Sequence, residues 1–462
     1  MYSAGHVYNV GIFSEREAVN SIERAGRLVN EIEETMGGQE RYKYDENLLL
    51  STALSSDRAG KRRGVICMKR ILALGILLIF LGLGFLDSVD ASLEFEEYQV
   101  YEVGQGPECL NTADIDGDGD QDMVMICNGD IQISASSIVY LINSGSGGFE
   151  KRTDELTNTP YLLDVADMDG DGDADIVLMD NSSVRILSNN GAGEFTETWS
   201  HEFSTLLYSS LSALDLNGDG KRDIAFFDGV FLHLFLSGGG DYTYRKESLN
   251  KTSFIFWYDM DGDGDLDIFK TYTGMKLFGE MTEPPSIEVY LNRGNGTFEE
   301  GYSQEPDYMA GLVAVGSMDG GIRVFIGDYE KNIVKVYRWE NSELSHLKDI
   351  GSEGDFDTIH SMKLFDVDSD GELELLVLGT VDFITKVVRI YDDVLSDSGT
   401  QQDYEGTTGT TDFGFIKANS DDLWDLVGWE GSHMMTAGNK VWVALQRGEG
   451  GGEEGGQEGG EE

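Results

Sequence analysis

Asp259-Met-Asp261-Gly-Asp263-Gly264-Asp265-Leu-Asp267 places five carboxylates in nine residues. At that density they repel one another unless a cation sits among them. Positions 1, 3, 5 and 9 offer side-chain oxygens, and position 7 can offer its backbone carbonyl. Glycine at position 6 permits a sharp turn. Alternating oxygens around such a loop suit a hard divalent cation such as Ca2+.

The pattern recurs. Asp114, Asp116, Asp118, Asp120 and Asp122 form one copy, and Asp167, Asp169, Asp171, Asp173 and Asp175 a second. Asp215, Asn217, Asp219, Lys221 and Asp223 form a third; Asp366, Asp368, Asp370, Glu372 and Glu374 follow the Asp259 copy. Two degenerate copies fill the gaps. Gly316-Ser-Met-Asp319-Gly-Gly-Ile-Arg-Val has lost nearly all its oxygens, and Lys417-Ala-Asn419-Ser-Asp421-Asp-Leu-Trp-Asp425 has lysine at the first position. First positions 114, 167, 215, 259, 316, 366 and 417 are 44 to 57 residues apart, so seven units of one architecture are expected.

The flanks exclude EF-hands, which need a helix on each side and Glu at position 12. Position 12 is Met125, Leu178, Phe226, Lys270 and Val377. The segments after the loops, such as Met123-Val-Met-Ile and Ile176-Val-Leu-Met, read as short buried strands, so each loop joins two strands of a hairpin. A second signature follows in three units: Asn143-x-Gly145-x-Gly147-x-Phe149, Asn189-x-Gly191-x-Gly193-x-Phe195 and Asn292-x-Gly294-x-Gly296-x-Phe298. Glycine turns ending in an aromatic suit a further hairpin, the ring covering a blade edge.

Together the two signatures resemble the FG-GAP/VCBS repeats of integrin-α-type propellers, over residues 95 to 447. The resemblance implies an all-β fold: a seven-bladed β-propeller of four-stranded antiparallel blades. It implies structural Ca2+, at four to five sites, on the loop residues named above. The fifth and seventh units should hold little or none. It also implies that the first and last strands, near Glu94–Val103 and Lys440–Leu445, meet in one blade and leave no open edge.

The organisation expected is an N-terminal segment (1–67), a signal peptide or anchor (68–91), the propeller (92–447) and a Gly/Glu tail (448–462) without a core of its own. Ser14-x-x-Glu17 reads as a capping box before an amphipathic helix ended by Gly37-Gly38. Met68-Lys69-Arg70 precedes sixteen apolar residues, 71–86, and Val89-Asp-Ala91 allows cleavage. Either Met68 is the true start and the signal is removed, or residues 71–86 remain as a membrane anchor. Both put the propeller outside the cell or on its surface.

Lys plus Arg number 33 against 85 acids; five Ca2+ would move the formal charge only from −52 to −42. Such a surface repels nucleic acid. Cys109 and Cys127 are symmetric about Asp118. In a simple hairpin register they would face each other and suit a disulfide; buried free thiols are the alternative, and a bulge would break the register. Asn181, Asn250 and Asn295 begin glycosylation sequons. No nucleophile elbow, phosphate loop or Cys-x-x-Cys pair occurs, and the six histidines are scattered, His201 and His233 on expected strands. Two function classes stand: a binding or adhesion module that meets a protein or glycan at a propeller face, and an extracellular lyase or hydrolase on the same scaffold; a purely structural envelope component is a third option that the sequence does not separate from the first.

Overall fold

The computed structural model describes residues 93–128, 136–203, 210–249, 251–277, 280–396, 399–421, 423–433 and 436–447. The helix, signal segment and acidic tail expected from the sequence lie outside these residues. The described chain forms seven four-stranded antiparallel sheets and no helix.

Blade 1 shows the pattern. Strands Pro107–Ala113, Asp122–Cys127, Ser137–Asn143 and Phe149–Glu155 pair in order. The second strand is buried at every residue, because both of its faces meet a neighbouring blade, whereas the fourth is mostly exposed. A continuous apolar run therefore marks the second strand. Blades 2 to 6 repeat the pairing, with second strands Asp175–Asp180, Asp223–Phe227, Asp267–Tyr272, Gly321–Asp328 and Glu374–Val381 buried except at an end in blades 4 to 6. In blade 4 a hairpin of Met275–Leu277 and Glu280–Glu283 interrupts the path from second to third strand.

Blade 7 takes its first three strands from the C-terminal end, Asp412–Ile416, Asp425–Trp429 and Lys440–Ala444, and its fourth, Gln99–Glu102, from the beginning of the described chain. Gln99 pairs with Val443 and Glu102 with Lys440. The expected clasp is present and closes the ring.

The core is distributed in seven apolar clusters, one between each pair of adjacent blades. Ile126, Tyr140 and Leu178 lie in the cluster between blades 1 and 2. Met125, Val139, Val427 and Val443 lie in the one between blades 7 and 1. The aromatics that end the glycine turns belong to these seams. Phe195 of blade 2 stacks on Tyr140 of blade 1 with centroids 5.6 Å apart, and Phe149 of blade 1 meets Tyr101 of blade 7 at 5.4 Å. The rings thus seal a blade against its predecessor.

Cys109 and Cys127 are not bridged. The first hairpin has a bulge between Glu108 and Asn111, Cys109 takes a left-handed backbone conformation (φ 53°), and Cys127 pairs with Pro107. Cys127 packs in the seam to blade 7 and Cys109 against the seam to blade 2, so the sulfurs lie on opposite faces of the sheet. Burial raises both thiols, Cys109 to about 11 and Cys127 to about 12.

Candidate metal centre

Each acidic loop joins the first and second strands of its blade, so all lie at the same end of the strands. One plan governs them. In the loops of blades 1 to 4 the first Asp accepts two backbone N–H groups with its two oxygens, and in blade 6 Asp366 accepts one, from Gly371 at 3.0 Å. Asp114 takes Gly117 (2.8 Å) and Gly119 (3.0 Å), and Asp259 takes Gly262 (2.7 Å) and Gly264 (3.0 Å). The glycines at position 6 have φ of 96° in loop 1 and 95° in loop 4, a conformation that disfavours any Cβ. The fifth-position carboxylate accepts from the seventh N–H, as Asp118 does from Asp120 at 2.9 Å. At position 7 the side chain turns to the glycine turn of its own blade: a Cβ on Gly191 would lie 2.6 Å from Asp173 Oδ2, and one on Gly294 2.6 Å from Asp265 Oδ2.

Four loops gather ligand atoms within 4.8 Å of one another: Asp114, Asp116 and Asp122; Asp167, Asp169 and Asp175; Asp259, Asp261 and Asp263; Asp366, Asp368 and Glu374. The donors are all hard oxygens, which fits a divalent cation. Asp116 Oδ1 and Asp366 Oδ1 are buried and have no hydrogen-bond partner among the described residues. A buried carboxylate oxygen without a donor is costly, and a cation at the loop centre would satisfy it.

The third loop does not gather such a group among the described residues. Asn217 turns its amide to Asp223 Oδ1 (3.2 Å) and to the Ser237 carbonyl (3.0 Å). Lys221 keeps only the local bond from its N–H to Asp219 (2.9 Å). In blade 5 the expected degenerate loop is absent. The strands run on to a two-residue turn of Asp319 (φ 50°) and Gly320 (φ 68°), a mirror-image hairpin turn. The seventh loop keeps the later part of the backbone plan, with Asp421 accepting from Leu423 at 3.0 Å. Lys417 Nζ lies 5.2 Å from the Trp424 ring centre.

The ninth position has a second role that the sequence pattern does not reveal. Asp122 is fully buried and accepts from Ile115 N (2.8 Å) and Asn143 N (2.7 Å), tying the loop to the third strand. Asp425 does the same with Ala418 and Gln446, both at 2.8 Å, although its loop has lysine at the first position and asparagine at the third. Survival of this carboxylate in blade 7 follows from that backbone duty. Burial raises Asp122, Asp267 and Asp425 to about 6 and Glu374 to about 8, only partly offset by backbone donors.

The asparagine of the glycine-turn signature is the residue whose role the sequence conceals most. Asn292 Nδ2 donates to Leu216 O of the preceding blade's loop at 2.9 Å, and Asn189 Nδ2 to Ile115 O at 2.8 Å. In blade 5, which lacks the asparagine, Trp339 Nε1 takes the place, donating to Met260 O at 2.6 Å. In blade 7 the Gln446 amide, turned to the orientation that satisfies both of its ends, donates to Trp424 O at 2.7 Å and Val367 O at 3.3 Å. The loops of blades 1, 3, 4 and 6 are therefore tied to the next blade as well as their own.

Both histidines singled out in the sequence are on outer hairpins. His233 is buried between Asp228 (2.8 Å) and the Tyr244 hydroxyl (2.9 Å) and stacked on Phe226; His201 stacks with Trp199. Asn181 and Asn295 sit exposed in turns, and Asn250 lies outside the described residues.

FG-GAP-like repeats match residues 114–178 and 167–226. The rhamnogalacturonan endolyase YesW of Bacillus subtilis (strain 168) is 23% identical over 265 residues, 51% of this chain and 40% of that protein, so the match spans less than half of the relative's length. Crystal structures of BBS1N in complex with ARL6DN, soaked with lead or with mercury, superpose with TM-scores of 0.52 and 0.51 at 11% identity. They cover 78% and 77% of this chain and 98% and 97% of those chains, and the likeness is one of fold. The chain is a seven-bladed β-propeller that carries FG-GAP-like repeats.

Proposed function

We propose that this chain is an exported calcium-binding propeller that presents a ligand site to a protein or glycan, with Ca2+ in a structural role. The observation that carries the calcium part is the pair of buried, partnerless oxygens on Asp116 and Asp366 inside all-oxygen clusters. Weak loops of this kind suit the millimolar Ca2+ outside cells, where the apolar segment 71–86 would deliver the chain by export or by anchoring. Metal set in hairpins that also bond to the next blade favours rigidity over chemistry.

For the ligand, a cavity of about 360 Å³ opens among blades 1, 6 and 7. Glu108, Cys109, Lys363, Asp412 and Trp429 line it. Pro107, Thr411 and Gly431, at strand ends remote from the acidic loops, place it toward the opposite face. Convergent polar groups beside an aromatic ring suit a small polar ligand or a sugar ring. The test is a calcium titration of the EDTA-stripped full chain, followed by a glycan and matrix-protein binding panel on wild type and Asp412→Ala. Uptake of about four ions and ligand capture lost in the variant would support the reading. Absence of calcium uptake would refute it.

The second reading is a glycan-degrading enzyme, favoured by the similarity to a rhamnogalacturonan endolyase. In it Glu108, Asp412 and Lys363 would supply acid and base in the same cavity. Incubation with rhamnogalacturonan, following the ultraviolet absorbance of an unsaturated product, separates the two readings.

A further inference from the structure

The third loop differs from its sisters in charge as well as in ligands. At position 7, where the other four carry Asp120, Asp173, Asp265 and Glu372, it has Lys221, and Arg222 follows it. Over nine residues its formal charge is −1, against −5 for each of the others. Both side chains are exposed, and neither forms an ion pair among the described residues. In a chain of net charge −52 they set two adjacent cations beside the acidic loops.

A second cavity, of about 340 Å³, opens at this place. Asp167, Met168 and Gly170 of the second loop form one wall; Asp215, Gly220, Lys221 and Arg222 of the third form the other. Asp167 belongs to the second loop's carboxylate cluster, so a cation held there would border the cavity. Ca2+ takes six to eight oxygens, and such ions accept ligand oxygens where their loop supplies fewer. Arg222 also acts inward. Its charge opposes the burial that raises Asp164, a residue of the first strand of blade 2. Arg222 therefore acts on the inner strands as well as at the loop tip.

We infer that this notch between the second and third loops binds the carboxylate of an acidic saccharide. Lys221 and Arg222 supply the cationic donors, and the second loop's cation supplies the remaining charge. The inference rests on the calcium reading above, but it concerns the opposite end of the strands from the ligand cavity described there. An anion approaching the loops of blades 1, 2, 4 or 6 meets five clustered acids in each, so long polyanions are repelled and a single uronate at a chain end or branch is admitted. The size of the notch suits a sugar unit; extended peptides are bound along sheet edges or grooves.

The experiment is isothermal titration of the full chain with trigalacturonate in millimolar Ca2+, with galactotriose and a triglutamate peptide as comparisons. Lys221→Asp combined with Arg222→Leu converts the third loop to the pattern of the fourth at these positions. Its calcium uptake and melting temperature are measured alongside, to establish that it folds. We expect trigalacturonate to bind wild type, and its affinity to fall about tenfold or more in the double variant and again on chelation, with galactotriose inert. Equal affinity in the folded variant overturns the inference. So does normal calcium uptake without uronate binding, which leaves the calcium reading intact. Capture of triglutamate in place of trigalacturonate overturns the saccharide assignment. Failure to take up calcium at all refutes the earlier reading and this one with it.

Discussion

Asn189 Nδ2 lies 2.8 Å from the carbonyl oxygen of Ile115, a residue 74 positions earlier and one blade away. The same amide reaches Ala174 O at 3.2 Å, while its oxygen accepts from Gly191 (3.2 Å) and Gly193 (3.0 Å). One side chain thus binds its own glycine turn, its own acidic loop and the preceding loop. Asn189→Ala should cost about 1–3 kcal/mol by leaving buried carbonyls without donors. Asn189→Asp should cost at least as much, because it aims a charge at two carbonyls. Urea unfolding of both variants measures this; a loss below about 0.5 kcal/mol in each would show that the link is incidental.

Chelation should invert the response of the fold to acid. Asp122, Asp267 and Asp425 are raised from 3.8 to about 6, and Glu374 from 4.5 to about 8, chiefly by burial. An acid with a folded pKa above its unfolded value binds protons preferentially in the folded state. Stability therefore rises as pH falls from about 8 toward the ordinary carboxylate range, and the gain is complete below it. The EDTA-treated protein is expected to melt higher at pH 5 than at pH 7.5. With saturating calcium the trend reverses, because protonation displaces the cation. Melting curves at both pH values, with and without calcium, decide it.

Blade 4 contains a fully buried lysine. Lys270 Nζ pairs with Glu288 at 2.9 Å and donates to Lys251 O at 3.1 Å. Glu288 also accepts from Tyr290 and Ser286, each at 2.8 Å. Lys270→Met removes one charge and strands the other, at a cost of about 3–5 kcal/mol. Adding Glu288→Gln should recover part of that loss, which chemical denaturation of the single and double variants can measure.

The turn between the second and third strands of blade 6 holds Asp382 (φ 52°) and Phe383 (φ 60°) in the left-handed region. Phe383 is 86% exposed, so no packing repays the strain. Phe383→Gly should raise stability by about 1 kcal/mol, read from the urea midpoint. A loss of stability would mean that the exposed ring contributes to the native state in some other way.

The positions of the acidic loops and the blade number were legible in the sequence because alternating acids, a turn glycine and an apolar run are local signals. Long-range geometry was less so. The clasp between Gln99–Glu102 and Lys440–Ala444 could be expected only through the resemblance. The bulge at Cys109 could not, because it depends on how the strand start packs beside blade 2; it placed two symmetric cysteines on opposite faces. Position 9 looked like one more ligand, and its bonds to the third strand show only when Asn143 or Gln446 is brought beside it. Asn143, Asn189 and Asn292 read as turn formers because their partners lie in other repeats. Trp339 had no signal at all: it replaces an asparagine by shape and a single N–H. Lys270, inside an otherwise apolar strand, was the one exception visible in the sequence, at position 12 of its loop.

The clasp also settles where the ring begins. Glu96 N donates to Leu445 O and Arg447 N to Glu94 O, each at 2.7 Å, so the chain enters and leaves the propeller at one point. Circular permutation is then open to this scaffold. A short linker could join residues 447 and 93, and new termini could be cut in the link between Glu405 and Asp412, giving seven blades each made of consecutive strands. Such a ring would be held at its seam by two flush sheets in place of a shared one. Comparing it with the natural chain would isolate what interleaving the ends contributes to resistance against unfolding.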